Sequence, residues 1–309
     1  MTLTYSLHKI TSPPGWDKSS LPPGWDKSTP PPDLEGAADY SRFHFGFSPQ
    51  DYSRFKFGDG SVARTYGQEL AEGFILAHLS KQEISRQLVV VSSPYSFIPT
   101  ATFAMKDHFV FRLNRWLAEQ GLPVVQETKV HRTITYKEDY GELNAEQRIQ
   151  LIGGDSFHID RRFLEGKTVL FLDDIRITGG HERMILKMVQ EYNLQSPVYL
   201  LYFAELASAQ VHPNIENYLN YYAVKSIFDL QPLISSQHFL LNTRATKYIL
   251  HYDFEAFRIF ADNQTPAFLE YLYDMALGNG YHTIEAYQRN LDYLKVQVNT
   301  IQRTSHTLM

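Results

Sequence analysis

Two adjacent carboxylates and a glycine turn are the residues of this chain whose types and spacing could do chemistry. Asp173 and Asp174 are followed, after three further residues, by Thr178, Gly179 and Gly180. Glycines let a backbone approach a phosphate closely, and the N–H groups at the start of a following helix attract an anion. Neighbouring carboxylates accept hydrogen bonds from a vicinal diol, or hold a hydrated divalent cation. Together these residues predict a site for a sugar phosphate.

A buried strand and a helix must position these residues. The apolar run from Val169 to Leu172 predicts a strand that is buried on both faces of a parallel sheet and ends at the acidic pair. Residues 181–192 carry helix-forming side chains at helical spacing. Two other interpretations are an ordinary strand-to-helix turn with acidic capping residues and a dinucleotide-binding turn, but the G-x-G-x-x-G of the latter is absent.

The run from 169 to 181 resembles the signature of type I phosphoribosyltransferases, which bind 5-phosphoribosyl 1-pyrophosphate (PRPP). The resemblance implies that Asp173 and Asp174 bind the ribose hydroxyls. It also makes both acids candidate ligands of the Mg²⁺ that enters with PRPP. The implied ligands of the 5-phosphate are Ile177, Thr178, Gly179, Gly180 and His181.

Two of these positions depart from the family pattern. His181 stands where the family usually has Thr or Ser, so an imidazole N–H would replace a hydroxyl donor. Ile177 stands where purine-type members often carry an acid that acts on the base. The apolar side chain therefore argues against the purine subclass.

A second stretch lies at the end of another predicted buried strand, residues 87–91. Hydroxyl residues and a proline follow it, which predicts exposed N–H groups at the sheet edge where open α/β sheets bind ligands. Residues 95–101 resemble the pyrophosphate loop of orotate phosphoribosyltransferases, with Ser96 in place of a lysine. Pyrophosphate would then be held more by N–H and O–H donors than by charge. The implied contacts are Ser92, Ser93, Tyr95 and Ser96, and the alternative is a simple strand-to-helix turn.

Residues 131–142 are polar and without periodicity, which predicts a long functional loop. The loop resembles the catalytic hood loop of the orotate-type enzymes. That resemblance implies that Arg132 and Lys137 are catalytic cations that meet pyrophosphate when the loop closes. The alternatives are a solvated loop lysine and an arginine that extends from a strand end.

Composition excludes several classes of function. A net charge of −5 gives no electrostatic footprint for nucleic acid or for an anionic membrane surface, and no apolar run approaches the ~20 residues of a membrane span. The absence of cysteine excludes disulfides, thiolate metal sites and a cysteine nucleophile. The first ten residues show no secretory signal, so we expect a cytoplasmic protein.

The predicted fold class is α/β, a mainly parallel sheet flanked by helices, with a helical C-terminal subdomain. P-P-G-W-D-K-S occurs at 13–19 and 22–28, and D-Y-S-R-F-x-F-G occurs at 39–46 and 51–58. We therefore interpret residues 1–50 as a repeat-containing, weakly ordered leader. Residues 51–230 would form the phosphoribosyltransferase-like domain, and the aromatic-rich residues 231–309 the helical subdomain.

The architecture from about residue 51 onward resembles a predicted phosphoribosyltransferase family found among tellurium-resistance and stress-response biosynthetic genes. This resemblance implies Mg²⁺-dependent transfer of ribosyl 5-phosphate from PRPP to a nitrogen acceptor, in the synthesis of a nucleoside-like metabolite. The expected partners are PRPP and that acceptor, with neither nucleic acid nor membrane, and a homodimer is left open. Two alternatives stand beside it: a PRPP-binding sensor without catalysis, and an interaction module that uses the tryptophan repeats.

Overall fold

A sheet of five parallel strands forms the centre of the protein, with the strand order β1, β7, β6, β2, β3. The computed structural model describes residues 2–14, 40–133, 156–208, 211 and 214–307. A short antiparallel pair, β4 and β5, lies outside this sheet. The strands are β1 Thr2–Ile10, β2 Leu88–Ser92, β3 Gln126–Lys129, β4 His131–Thr133, β5 Ser156–His158, β6 Thr168–Arg176 and β7 Val198–Leu206.

Helices cover both faces of the sheet and build the C-terminal part of the chain. Within the described residues, no helix combines the length and the apolarity that crossing a bilayer requires. The helices are α1 Pro49–Lys56, α2 Gly60–Ala77, α3 Ala101–Glu119, α4 Arg161–Leu164, α5 Gly180–Glu191, α6 Ile215–Asn220, α7 Gln231–Ile234, α8 Thr243–His251, α9 Phe254–Asp262, α10 Pro266–Gly278 and α11 Glu285–Thr307.

The central strand β6 shows why its apolar run is continuous. Leu170 and Leu172 belong to the core on the side of α2 and α3. Val169 and Phe171 belong to the core on the side of α5. Because successive side chains of a strand point to opposite faces, a strand covered on both faces needs apolar residues at every position. The predicted α/β class with a doubly covered parallel sheet is confirmed.

The first residues are not the weakly ordered leader that we expected for 1–50. Strand β1 is an edge strand of the sheet and pairs in parallel with β7, from Thr2 opposite Val198 to Ile10 opposite Leu206. Its apolar side chains pack on helix α2: a Cβ placed on Gly73 would lie 2.6 Å from Leu7 Cδ1. Strand β1 is therefore held both by the hydrogen bonds of the sheet and by the contact of its alternating apolar side chains with α2.

The two copies of D-Y-S-R-F-x-F-G adopt different backbones. In the first copy Tyr40–Arg42 form a 3-10 turn and His44 pairs with Thr11 in an isolated bridge. Residues 51–56 of the second copy lie in helix α1, which starts at the N-cap Ser48 with Pro49 in the first turn. Both copies bury the same aromatic positions: Tyr40, Phe43 and Phe45 in the first, and Tyr52, Phe55 and Phe57 in the second. Residues 40–58 are thus part of the core.

A separate hydrophobic cluster lies among the C-terminal helices, and Phe57 and Ile98 also belong to it. Before most of these helices in the chain, Ile227–Leu230 form a 3-10 helix. The Asp229 carboxylate accepts hydrogen bonds from the Lys225 and Ser226 N–H groups and so starts a helical turn. The helical character of the C-terminal part is confirmed, and the boundary near residue 230 stays a prediction.

Candidate functional site

Strand β6 does not end at the acidic pair but continues through it to Arg176. Its neighbour β2 stops where Ser92 pairs with Leu172, whereas β7 goes on pairing as far as Arg176 opposite Glu205. The acids therefore lie at the point where one flank of β6 loses its partner strand. Because side chains alternate along a strand, Asp173 and Asp174 point to opposite faces of the sheet.

Asp174 is buried and takes part in an internal ion pair. Its Oδ2 accepts a hydrogen bond of 2.8 Å from the Tyr52 hydroxyl and is also bonded to the Lys56 ammonium. Burial alone would raise the pKa of this carboxyl, but the Lys56 charge and the hydrogen bonds outweigh it and lower the pKa to about 2. The Tyr52 hydroxyl and the Lys56 ammonium both reach the same oxygen, Oδ2.

Sequence reasoning did not find Tyr52 and Lys56. They are four positions apart in helix α1, so they lie on one face of it. Nothing local in the sequence connects this face to Asp174, which lies 118 positions after Lys56.

Asp173 is half-buried and contacts the end of the phosphate loop. Its Oδ2 lies 2.7 Å from His181 Nδ1, and its Oδ1 accepts a 3.0 Å hydrogen bond from the Asp174 N–H. The structure thus joins a predicted ribose ligand to a predicted phosphate ligand. His181 replaces the usual hydroxyl residue and forms this contact from the first turn of α5.

The loop itself has the backbone that a glycine allows. Gly179 has φ of +67° and serves as the N-cap of α5, and the Thr178 hydroxyl accepts a 3.4 Å hydrogen bond from the Gly180 N–H. Its φ lies in the left-handed region, which costs other residues about 1–2 kcal/mol. Thr178 is exposed, whereas Ile177 packs against the core. The first N–H groups of α5 are accordingly placed for an anion.

A cavity of about 220 Å³ lies between the acids and the loop. Its charged lining is mainly acidic, and Arg176 is held in ion pairs with Glu182, 2.5 Å away, and Glu205, 3.4 Å away. Carboxylate oxygens are the ligands that Mg²⁺ prefers, so the donor set fits this ion. No cluster of three or more metal-ligating side chains occurs in the described residues, so such an ion would be shared with a ligand. The lining residues are 173–182, Tyr202 and Glu216.

The predicted pyrophosphate loop begins beside the acids. Ser92 pairs with Leu172, and the Ser93 hydroxyl lies 3.5 Å from the Leu172 carbonyl oxygen. The Tyr95 ring packs edge-on against Phe103, and Ser96 is exposed. The structure therefore brings the two motifs to one edge of the sheet, although the loop does not line the 220 Å³ cavity.

The loop is anchored to the C-terminal helices immediately after Ser96. Asn279 Oδ1 accepts hydrogen bonds from the N–H groups of Phe97, at 2.9 Å, and Ile98, at 3.1 Å. The Thr243 hydroxyl donates to the Ile98 carbonyl at 2.8 Å. The C-terminal helices thus fix the position of the loop.

The two predicted catalytic cations are not located by the structure. The backbone of Arg132 lies in β4, opposite Phe157 in β5, and its side chain is outside the described part. Lys137 lies outside the described residues altogether. Both assignments stay predictions.

A larger cavity of about 430 Å³ lies between α2, α3 and the C-terminal helices. Aromatic side chains dominate its lining, among them Phe97, Phe111 and Tyr271. It contains neither the acidic pair nor the glycine loop. We therefore place the candidate site at the smaller cavity, whose groups can bind a sugar phosphate.

The family model described as "PRTase ComF-like" matches residues 37–294. The chain belongs to this phosphoribosyltransferase (PRTase) family. The match starts before residue 51, in agreement with the packing of residues 40–58 into the core. The match to the family model is what assigns this PRTase ComF-like chain to the phosphoribosyltransferases.

Solved structures with some similarity are also phosphoribosyltransferases. A hypoxanthine phosphoribosyltransferase from Staphylococcus aureus is 13% identical over 46% of this chain and 74% of that chain, with a TM-score of 0.30. The Trypanosoma cruzi enzyme of the same name is 18% identical over 49% and 77%, with a TM-score of 0.31. An adenine phosphoribosyltransferase is 18% identical over 46% and 70%, with a TM-score of 0.27. Curated protein sequences give no significant match.

Proposed function

We propose that this PRTase ComF-like protein transfers the ribosyl 5-phosphate of PRPP to a nitrogen acceptor, in an Mg²⁺-dependent reaction that releases pyrophosphate. The observation that carries the proposal is the contact of Asp173 with His181. It connects the acid that would bind the ribose to the first turn of α5, where the 5-phosphate would bind. A single ligand that carries both a diol and a phosphate matches this arrangement.

The 5-phosphate would accept hydrogen bonds from the N–H groups of Gly179, Gly180 and His181, at the positive end of α5. Asp173 would accept hydrogen bonds from the ribose hydroxyls, and Asp174 would do so through Oδ1. Ser92, Ser93, Tyr95 and Ser96 would contact pyrophosphate. When bound, Mg²⁺ would be held by the carboxylates of Asp173 and Asp174 and would supply positive charge to the pyrophosphate.

In the reaction, the bond between C1 of the ribose and the pyrophosphate oxygen breaks, and its electron pair stays on pyrophosphate. The lone pair of the acceptor nitrogen forms the new bond to C1, and the proton of that nitrogen is released to water. An acidic N–H acceptor needs no protein base for this step. The protein contributes position and charge, with Arg132 and Lys137 as the cations of a closing loop.

Position 177 bears on the chemical class of the acceptor. Purine-type enzymes often carry an acid there that acts on the base, and this chain has Ile177 instead. We therefore favour an acceptor other than a purine, used for a nucleoside-like metabolite in a stress response such as tellurium resistance. A cytoplasmic location is part of this proposal.

Release of pyrophosphate from PRPP and Mg²⁺ tests the proposal directly. Pyrimidines, purines and other nitrogen heterocycles serve as a panel of acceptors. Release that depends on one acceptor class supports the transferase and names its substrate. In that case Lys137→Ala removes turnover and leaves PRPP affinity within about twofold.

A PRPP sensor is the second candidate function, and the departures from the family pattern at Ile177, His181 and Ser96 favour it. Tight PRPP binding with no release across the panel supports the sensor. Lys137→Ala then changes no measured property.

A further inference from the structure

Lys129 is the last residue of β3 and lies at the same sheet edge as the acids and the pyrophosphate loop. It pairs in parallel register with Ser92, and Ser92 pairs with Leu172, the residue before Asp173. The carboxyl ends of parallel strands meet at one edge of a sheet, where ligands of open α/β folds bind. A cation at the end of β3 is therefore beside the loop that starts at Ser93.

The Tyr95 ring lies under this cation. Lys129 Nζ is 5.0 Å from the ring centroid, within the range of a cation–π contact. The ring is fixed in turn by its edge-on contact with Phe103, at a centroid separation of 5.1 Å. Tyr95 belongs to the pyrophosphate loop, so the loop itself positions the Lys129 ammonium.

Lys129 and its neighbour Lys106, which lies over Phe103, differ in whether a carboxylate neutralises the ammonium. Lys106 is buried and is neutralised by ion pairs with Asp107 and Glu127. Within the described residues, no carboxylate lies close enough to Lys129 to form an ion pair. As far as the described residues go, Lys129 therefore keeps a half-buried positive charge that can meet an anion.

We propose that Lys129 binds the pyrophosphate group of PRPP and supplies the positive charge that the loop lacks because Ser96 stands in place of a lysine. This inference rests on the proposed function. As the C1–O bond breaks, its electron pair moves onto the pyrophosphate oxygen, and the Lys129 ammonium keeps its proton and stabilises that charge. The Tyr95 ring positions the Lys129 ammonium, whereas the contact of residue 95 with pyrophosphate would come from its backbone N–H.

Calorimetric titration of the full chain with Mg²⁺-PRPP, Mg²⁺-pyrophosphate and ribose 5-phosphate tests the inference. Lys129→Met should weaken the binding of PRPP and of pyrophosphate by about 10-fold to 100-fold. This is the range expected for loss of a hydrogen bond to a charged group. Ribose 5-phosphate lacks the pyrophosphate and should bind with unchanged affinity. The matched control is Lys167→Met, because Lys167 lies 3.6 Å above the Phe163 ring, just before the first residue of β6, and should change none of the three affinities.

Two further variants separate a charge from a structural role. Ser96→Lys in the Lys129→Met background puts an ammonium back in the loop and should restore much of the PRPP and pyrophosphate affinity. Tyr95→Phe keeps the ring and should bind like the wild type. Tyr95→Leu should weaken pyrophosphate binding in the wild type and have no further effect in Lys129→Met.

Unchanged pyrophosphate affinity in Lys129→Met overturns the inference. Equal losses for ribose 5-phosphate and pyrophosphate also overturn it, since they indicate a structural defect. If Lys129→Met does not fold, Lys129→Gln is titrated in its place under the same criteria. A wild-type chain that binds pyrophosphate but neither PRPP nor ribose 5-phosphate contradicts the proposed function and leaves the Lys129 comparison measurable. Failure of the wild type to bind pyrophosphate contradicts the inference itself.

Discussion

The Lys56 ammonium and the Asp174 carboxylate form a buried ion pair that joins helix α1 to the strand carrying the acidic pair. Their side chains are 13% and 7% exposed, so neither charge has free access to water. Tyr52 completes the contact from the same helix. The second copy of the sequence repeat is thereby connected to the candidate site.

Lys56→Met should lower the free energy of unfolding by about 3–5 kcal/mol, because it leaves the Asp174 carboxylate buried without a counter-charge. Adding Asp174→Asn should recover part of this loss, since the unpaired charge is then removed. Urea unfolding measures both. The control is Lys187→Met, at an exposed pair with Glu191, where the loss should stay below about 0.5 kcal/mol. Similar losses of unfolding free energy in Lys56→Met and Lys187→Met would contradict a stabilising role of the buried ion pair.

The same pair predicts how stability depends on pH in the absence of Mg²⁺. The pKa of Asp174 is lowered from 3.8 to about 2 in the folded chain, so its contribution is complete above pH ~4 and is lost as the pH falls toward 2. The shift corresponds to about 2 kcal/mol. Urea unfolding at a series of pH values should show this extra slope in the wild type. Asp174→Asn should lack it, and an identical slope in both proteins would contradict the prediction.

Gly179→Ala should lower the free energy of unfolding by about 1–2 kcal/mol, because its φ of +67° disfavours any side chain. It should also weaken PRPP binding, since the loop backbone would shift. Gly121→Ala is a matched control with φ of +70° and no atom within 4 Å of the added Cβ. Gly121→Ala should lower the free energy of unfolding by a similar amount and leave the affinity for PRPP unchanged. Thermal or urea unfolding and PRPP titration measure the two effects.

Asp173→Ala should weaken PRPP binding by about 100-fold, because it removes the acceptor of the ribose hydroxyls and the partner of His181. Asp160→Ala is the control. Asp160 caps α4 by accepting a hydrogen bond from the Phe163 N–H, before the start of β6. Its loss should lower stability by about 1 kcal/mol and leave PRPP binding intact. If Asp173→Ala binds PRPP as tightly as the wild type, the ribose hydroxyls do not bind at Asp173.

Local patterns in the sequence were sufficient for the elements that carry the loops. The apolar run at Val169–Leu172 and the glycines before α5 predicted the strand, turn and helix that the structure contains. Strand β1 was not predicted, because the tryptophan and proline repeats that follow it are typical of a weakly ordered segment, although Leu3, Tyr5 and Leu7 alternate with polar residues as in an edge strand.

The contacts of the site could not be read from the sequence. Lys56 and Asp174 are far apart in the chain, and no local rule pairs them. The contact between Asp173 and His181 depends on the turn at Gly179, which places the first turn of α5 beside the end of β6. Lys129 lies outside the sequence motifs that predicted the site, and it meets Tyr95 only because strands β2 and β3 pair in the fold.

The repeat has a consequence for how the chain reaches its native state. Both copies offer a tyrosine and two phenylalanines at the same spacing, so the unfolded chain contains two competitors for the position of α1. If residues 39–46 took that position, His44 would replace Lys56 opposite Asp174. Of the two copies, the second has the lysine that pairs with Asp174, so this buried ion pair favours the second copy at the position of α1.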